Sequence, residues 1–166
     1  MKTKFLRLIS IFFLLLLVCV VLPAGCDDDE YSNLVEGYIV GSFACEEVNS
    51  EGQATGDLTE RGYCILLEGS ENADFKWPMD FYTFDLPSGL FEFPEEIILP
   101  GTNGNDCGPW FFPANSRSVY KIKFSYRVLN KKERAKYACG GCMAMLQPFP
   151  WDDYNEISLK VISKVN

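Results

Sequence analysis

Histidine is absent from the 166-residue sequence. This absence excludes a Ser-His-Asp triad, a Cys-His nucleophile pair and any metal site that uses an imidazole ligand. The sequence also lacks a phosphate-binding loop, a dinucleotide-binding fingerprint and a G-x-S-x-G nucleophile elbow. We therefore predict no cofactor and no metal, and we assign no residue a catalytic role.

Basic residues are scarce and unevenly placed. The chain has 15 lysines and arginines against 23 acidic residues, and residues 27–115 contain only Arg61 and Lys76 as bases. Residues 116–166, in contrast, hold ten bases and four acids. A net acidic protein is not expected to bind nucleic acid through its overall field. The asymmetry predicts that basic C-terminal strands lie beside acidic N-terminal ones; the alternative is a basic face for an anionic ligand.

The N-terminal segment has the pattern of an export signal. The first seven residues carry three bases and no acid, and residues 8–22 form an apolar run with Ser10 as its only polar member. That run has 15 residues, whereas a helix that crosses a bilayer needs about 20. A basic start, a short apolar middle and a small-residue end predict a signal peptide over residues 1–25.

The end of this segment, Pro23-Ala24-Gly25-Cys26, resembles the lipobox of bacterial lipoproteins. The resemblance implies that Cys26 becomes the N-terminus and is lipidated, so that the membrane holds the protein through a palmitate-type anchor. The following Asp27-Asp28-Asp29-Glu30 resembles the surface-export signal of Bacteroidota lipoproteins. It implies a cell-envelope protein anchored in the outer membrane and exposed at the surface. Residues 26–34 are the expected acidic tether, and residues 35–166 a single β domain.

The mature chain has the pattern of an all-β domain. The clearest strand is residues 119–128, where apolar and aromatic residues alternate with polar ones. The predicted core-facing residues are Tyr120, Ile122, Phe124 and Tyr126, and the predicted solvent-facing residues are Lys121, Lys123 and Arg127. The other predicted strands are residues 37–45, 62–67, 79–86 and 157–165. Residues 62–67 are continuously apolar, which predicts burial on both faces.

Helix signal is weak, and long loops separate the strands. Asn130 and Glu133 match a capping box that would open a short helix over residues 130–137, and residues 94–99 fit another helical turn. Residues 46–60 are predicted to be a loop. Residues 100–118 are predicted to be a long ordered loop whose aromatic residues 110–112 plug one end of the core; an exposed partner patch is the alternative. Five strands with an excursion after the third predict a small OB-like barrel, with a β-sandwich as the alternative.

Five cysteines remain after Cys19 leaves with the signal and Cys26 is lipidated. The disulfide candidates are Cys45, Cys64, Cys107, Cys139 and Cys142. Export permits disulfides, and an odd count leaves one thiol free or paired with another chain. If the first two strands form a hairpin, Cys45 lies opposite Cys64, which predicts a bridge between them. A second bridge would join Cys107 to one cysteine of the Cys139-Gly140-Gly141-Cys142 motif.

That C-x-x-C motif also has two chemical alternatives. A pair of cysteines at this spacing is able to run thiol–disulfide exchange, and four of the five cysteines are enough for a structural zinc site. The carboxylate pairs Glu95–Glu96 and Asp152–Asp153 are predicted to be solvated, because adjacent strand residues point to opposite faces.

The leading functional hypothesis is a lipid-anchored binding or accessory protein of the cell envelope without catalytic activity. Its partner would be the membrane through the anchor, together with an envelope protein, a peptide or a glycan. The alternatives are a thiol–disulfide oxidoreductase that uses Cys139 and Cys142, or an inhibitor of a secreted hydrolase that presents residues 100–118.

Overall fold

The computed structural model describes residues 31–59, 61–98, 108–135, 137–138 and 149–165. The strands are β1 (Val35–Phe43), β2 (Glu46–Val48), β3 (Ala54–Leu58), β4 (Gly62–Leu67), β5 (Phe81–Thr83), β6 (Trp110–Phe111), β7 (Lys121–Val128), β8 (Tyr137–Ala138) and β9 (Asn155–Lys164). Helix within these residues is limited to α1 (Ala114–Arg117) and to two 3-10 turns, Glu71–Asp74 and Trp151–Asp153.

Five strands close into a barrel in the spatial order β1-β4-β5-β9-β7 and back to β1. Neighbouring strands are antiparallel except for β5 and β9, which run parallel. The first three barrel strands in the chain, β1, β4 and β5, are therefore also neighbours in the barrel. The last strand, β9, lies beside β5, and β7 lies between β9 and β1. The predicted OB-like, five-stranded all-β fold is confirmed, and closure rules out an open two-sheet sandwich.

The barrel interior follows the alternation predicted for β7 over residues 120–124, whereas beyond them Ser125 is buried and the Arg127 side chain is only 18% exposed. Ile122 and Phe124 are fully buried and Tyr120 is 7% exposed, whereas the Lys123 side chain lies on the exposed face. These residues pack with others from β1, β4 and β9 around the barrel axis. The buried interior cluster is Ile39, Ile65, Ile97, Phe112, Tyr120, Ile122, Phe124 and Ile157. Phe112 has no exposed surface, which confirms that the 110–112 segment contributes to the core.

The third barrel strand is shorter than predicted. The Leu67 N–H donates to the Asp80 carboxylate at 2.7 Å, so a side chain takes the position that a strand carbonyl would occupy. At the other end, the Thr83 hydroxyl accepts from the N–H of Asp85 at 3.0 Å and turns the chain away. Only Phe81–Thr83 of the predicted segment 79–86 is therefore strand.

Residues 46–60 were predicted to be a loop, and this prediction is wrong. They contain the hairpin β2–β3, which pairs with β8 in a separate three-stranded sheet. Asn49 makes the turn, because its side-chain oxygen accepts from the N–H groups of Glu51 and Gln53. The strands are short and polar, so they lack the apolar alternation by which a strand is recognised.

The prediction of a helix over residues 130–137 is also wrong. The capping-box contact does form, since the N–H of Asn130 donates to Glu133 at 2.9 Å. The chain nevertheless continues as a turn, because the N–H of Ala135 donates to the Glu156 carboxylate instead of to a helical carbonyl. The described part of 94–99 contains one hydrogen-bonded turn, in which Ile97 and Ile98 both donate to the carbonyl of Pro94.

Candidate functional site

The outer surface of β4 and β5 carries a second hydrophobic cluster. Cys64 and Leu66 on β4 and Tyr82 on β5 belong to this cluster, while their sequence neighbours Ile65 and Phe81 pack with the interior core. Both faces of these two strands are therefore covered, as the continuous apolar sequence of β4 predicted.

Aromatic rings form most of this outer cluster. Phe43 lies near its centre, with ring centroids 4.7 Å from Trp151, 5.4 Å from Phe84 and 5.8 Å from Tyr82. Phe149 continues the cluster, at 4.7 Å from Trp151 and 5.3 Å from Trp77. We call the set the aromatic face: Phe43, Trp77, Tyr82, Phe84, Phe149, Trp151 and Tyr154.

A glycine and a backbone contact set the positions of these rings. Gly62 lies directly beneath the Phe43 ring, and a β-carbon at residue 62 would come within 2.3 Å of that ring. The Tyr154 hydroxyl donates to the carbonyl of Trp77 at 3.4 Å, and its ring stacks on Phe149 at 5.4 Å. The segment 149–154 is thereby held against the outside of the barrel.

Part of the aromatic surface remains in contact with solvent. Trp77, Phe84, Trp151 and Tyr154 are half-buried, whereas Phe43, Tyr82 and Phe149 are buried beneath or between them. Half-buried tryptophan and tyrosine combine a flat apolar surface with a polar edge, which suits them to stacking on a ligand.

Acidic residues adjoin this face along the chain. Glu46 and Glu47 directly follow Cys45 of the outer cluster, and the exposed Asp152 and Asp153 directly follow Trp151. A basic group also contacts the face, since the Lys76 ammonium lies 4.6 Å from the centre of the Trp77 ring. The acidic excess disfavours a polyanionic ligand.

The small sheet is built from two connections of the barrel. Strands β2 and β3 lie between the first and second barrel strands, and β8 lies between the fourth and fifth. The pairing of Glu46 with Ala138 joins these two connections. In OB barrels the corresponding loops, together with the face of the second and third strands, bind oligonucleotides or oligosaccharides. The aromatic face lies on β4 and β5, which correspond to the second and third strands of an OB barrel.

Two titratable groups are buried near this surface. Burial raises the pKa of Glu156, opposed by the N–H of Ala135, 3.1 Å from its carboxylate, and by the charge of Arg134. Burial also raises the pKa of the Cys64 thiol well above its ordinary value. A thiol that stays protonated in apolar surroundings is a poor nucleophile, so Cys64 lacks the properties of a redox cysteine.

The predicted bridge between Cys45 and Cys64 is wrong. Cys64 is a free, buried cysteine, whereas Cys45 is disulfide-bonded, so the two do not bridge each other. The register of β1 against β4 places Gly41 opposite Cys64 and Phe43 opposite Gly62, so Cys45 lies four residues past the position that faces Cys64. Cys45 lies beyond the end of β1, where its carbonyl accepts from the N–H of Thr59.

The other predicted site residues divide into two groups. Cys26, Cys107, Cys139 and Cys142 lie outside the described residues. Glu95 and Glu96 are exposed in the loop before Ile97. No group of three or more His, Cys, Asp or Glu side chains suited to a metal occurs among the described residues.

The sequence contains a signal for the aromatic face, but a search for alternating polar and apolar residues does not reveal it. Residues 81–84 read Phe-Tyr-Thr-Phe, which places aromatic rings on both faces of one strand. Phe149 and Trp151 lie in a proline-flanked segment that resembles a connecting loop. No helix in the described part of the chain has the length and apolarity needed to span a bilayer. The chain matches no family model, and neither a curated protein nor a solved structure resembles it.

Proposed function

We propose that the protein is a lipid-anchored binding module of the bacterial cell envelope, without catalytic activity, and that the aromatic face receives its partner. The observation that supports this proposal most strongly is the half-buried group Trp77, Phe84, Trp151 and Tyr154 on the outer wall of the barrel. A cluster of partly exposed aromatic side chains is typical of recognition sites.

The chemistry around the face narrows the class of partner. Acidic side chains on the small sheet and in the 3-10 turn would repel phosphate- or sulfate-rich chains. Aromatic rings stack on the apolar faces of sugar rings, and nearby carboxylates accept hydrogen bonds from their hydroxyls. An uncharged oligosaccharide therefore fits this surface better than a nucleic acid does.

Tryptophan fluorescence tests the binding site. We would titrate the mature lipoprotein in detergent with cellohexaose, maltohexaose and xylohexaose, and with heparin as a polyanion. The proposal expects saturable binding of at least one neutral hexasaccharide, none of heparin, and a loss of about tenfold or more in affinity for Trp151→Ala, as for other aromatic anchors. Trp110→Ala is the matched control, because Trp110 is 40% exposed and lies outside the aromatic face. Equal losses in the two variants would contradict the assignment of the site.

Metabolic labelling tests the anchor. Radiolabelled palmitate should enter the wild-type chain expressed in a Gram-negative host and should not enter Cys26→Ser. Cys19→Ser is the matched control, because that cysteine would leave with the signal peptide and its loss should not affect labelling. Label retained in Cys26→Ser would refute lipidation at this residue.

A further inference from the structure

A carboxylate closes the connection between β4 and β5, residues 68–80. The Asp80 side chain accepts hydrogen bonds from the Leu67 N–H, the Ser70 hydroxyl and the Asn72 side-chain amide, each at 2.7 Å. We call this set the carboxylate clamp: Leu67, Ser70, Asn72 and Asp80. Because the donors lie at the start of the connection and the acceptor at its end, the clamp fixes the path of the residues between them.

This connection presents an exposed phenylalanine that the core does not use. Phe75 is 64% exposed and belongs to neither hydrophobic cluster. Its N–H donates to the carbonyl of Asn72 at 3.2 Å. Asn72 is itself held on two sides, since its N–H donates to the Ser70 hydroxyl at 3.1 Å and its side-chain amide to the Met79 carbonyl at 3.3 Å. The clamp therefore holds the backbone of Phe75 through Asn72.

Phe75 adjoins the aromatic face. The α-carbons of Phe75 and Trp77 are at most about 7 Å apart, because the two residues are two positions apart in the chain. Trp77 is fixed independently, since its carbonyl accepts from the Met79 N–H at 2.9 Å and from the Tyr154 hydroxyl at 3.4 Å. An exposed ring and a half-buried ring therefore lie side by side at the border of the face.

The charges beside Phe75 nearly balance. Its exposed charged neighbours along the chain are Glu71, Asp74 and Lys76, which together carry one negative charge. Such a surface provides no strong attraction for a polyanion or a polycation, but its carboxylates accept hydrogen bonds from hydroxyl groups. These properties suit the uncharged oligosaccharide proposed for the aromatic face.

We infer that Phe75 is a further contact residue for that oligosaccharide, and that the carboxylate clamp positions it. The inference rests on the proposed binding function. The Phe75 ring would stack on a sugar ring next to the one that contacts Trp77. A turn that is ordered before the ligand arrives lowers the entropic cost of binding. Since Tyr154 supports Trp77 separately, loosening the clamp should act chiefly through Phe75.

Calorimetric titration tests the contact. The mature lipoprotein in detergent is titrated with whichever of cellohexaose, maltohexaose and xylohexaose binds the wild type most tightly. Phe75→Ala should lower the affinity by about fivefold or more, without lowering the urea midpoint, because the ring lies outside both clusters. Val119→Ala is the matched control, since Val119 is 63% exposed and also belongs to neither cluster. It should bind like the wild type.

A double-mutant cycle tests the clamp. Asn72→Ala leaves the bonds of Asp80 to Leu67 and Ser70 and removes its link to the turn that carries Phe75. The affinity should fall by about threefold in the wild-type background and no further in the Phe75→Ala background, because the two changes act through one ring. A purely structural effect would lower the affinity equally in both backgrounds, and that result would overturn the positioning role.

The outcomes separate this inference from the function on which it rests. If Phe75→Ala bound like the wild type while Trp151→Ala bound more weakly, the contact at Phe75 would be refuted and the aromatic face would remain the binding site. If the wild type bound none of the three hexasaccharides, the proposed function would be refuted together with this inference.

Discussion

The two hydrophobic clusters of this domain differ in residue composition and in how completely they are shielded from solvent. The interior cluster is sealed by the barrel wall and consists of aliphatic residues, two phenylalanines and Tyr120. The outer cluster contains a free thiol, half-buried tryptophans and a segment, residues 149–154, that lies across the wall. A barrel needs the first to fold. The second covers apolar wall that would otherwise be exposed, and it leaves aromatic surface at its border. The comparison therefore separates residues that hold the fold from residues that are available for recognition.

The largest expected effect tests the interior. Phe124 is fully buried at the centre of the barrel, and Phe124→Ala should lower the free energy of unfolding by about 3–5 kcal/mol, as in other cores. Its strand neighbour Lys123 is exposed and 3.6 Å from Glu36, so Lys123→Ala should cost less than about 0.5 kcal/mol. Urea denaturation measures both. Comparable losses would mean that β7 does not present alternate residues to the core.

The next effect tests the outer cluster at its tightest contact. Gly62→Ala places a methyl group against the Phe43 ring, and overpacking of this kind costs about 1–3 kcal/mol. The displaced ring should also change the near-ultraviolet circular dichroism of its neighbours Tyr82 and Trp151. Gly52→Ala is a control of another kind, because Gly52 has open space around it but a positive φ of 80°. It should lose stability without a change in the aromatic signal. An unchanged spectrum in Gly62→Ala would show that the Phe43 ring is not held there.

The sequence was sufficient for the interior and insufficient for the outer cluster, for a physical reason. Alternation along β7 reports which face is buried, and the continuous apolar run of β4 reports burial on both faces. Neither pattern identifies what covers the second face. That cover comes from residues 149–154, whose prolines and aspartates are typical of a loop, and from Trp77 after a 3-10 turn. The Cys45–Cys64 pairing failed for a related reason, since nothing in the sequence fixes the register of β1 against β4, which places Gly41, four residues before Cys45, opposite Cys64.

A pH titration separates the buried carboxylate of the outer wall from the exposed ones. Burial raises the pKa of Glu156 above its ordinary 4.5. Between pH 4.5 and this raised pKa, Glu156 is therefore protonated in the folded state and ionised in the unfolded state. Stability should therefore fall as pH rises above about 4.5, through the folded pKa. Glu156→Gln keeps a hydrogen-bond acceptor for the N–H of Ala135 and should make stability less dependent on pH in this range. At pH 7 the variant should be more stable than wild type, by less than the stability that Gly62→Ala loses.

Glu133 provides the opposite case. Hydrogen bonds from the Asn130 N–H and from Arg127 lower its pKa, so its contribution is present above the ordinary carboxyl pKa and is lost as pH falls through the lowered value. Glu133→Gln should therefore be less stable than wild type at pH 7, with the difference shrinking in acid. Thermal unfolding from pH 3 to pH 8 measures both variants. If the stability of Glu156→Gln and that of Glu133→Gln depended on pH in the same way, the burial of Glu156 would be contradicted.

The smallest effect concerns the barrel wall away from both clusters. Val161 has a φ of 51° and is 67% exposed. It lies where the β7–β9 pairing shifts register, with Ser125 opposite Lys160 and Lys123 opposite Ser163. A β-branched residue in the left-handed region carries strain of about 1–3 kcal/mol, and glycine loses about 0.5–1 kcal/mol through its greater freedom in the unfolded chain. Val161→Gly should therefore stabilise the domain by roughly 0.5–1 kcal/mol. Val128→Gly should destabilise it by a similar amount, because Val128 is also exposed but lies outside the register shift and has no positive φ. Urea denaturation measures the free energy of unfolding of both variants. A gain for Val161→Gly with a loss for Val128→Gly would show that the backbone is strained at Val161. Equal losses in the two variants would show that it is not.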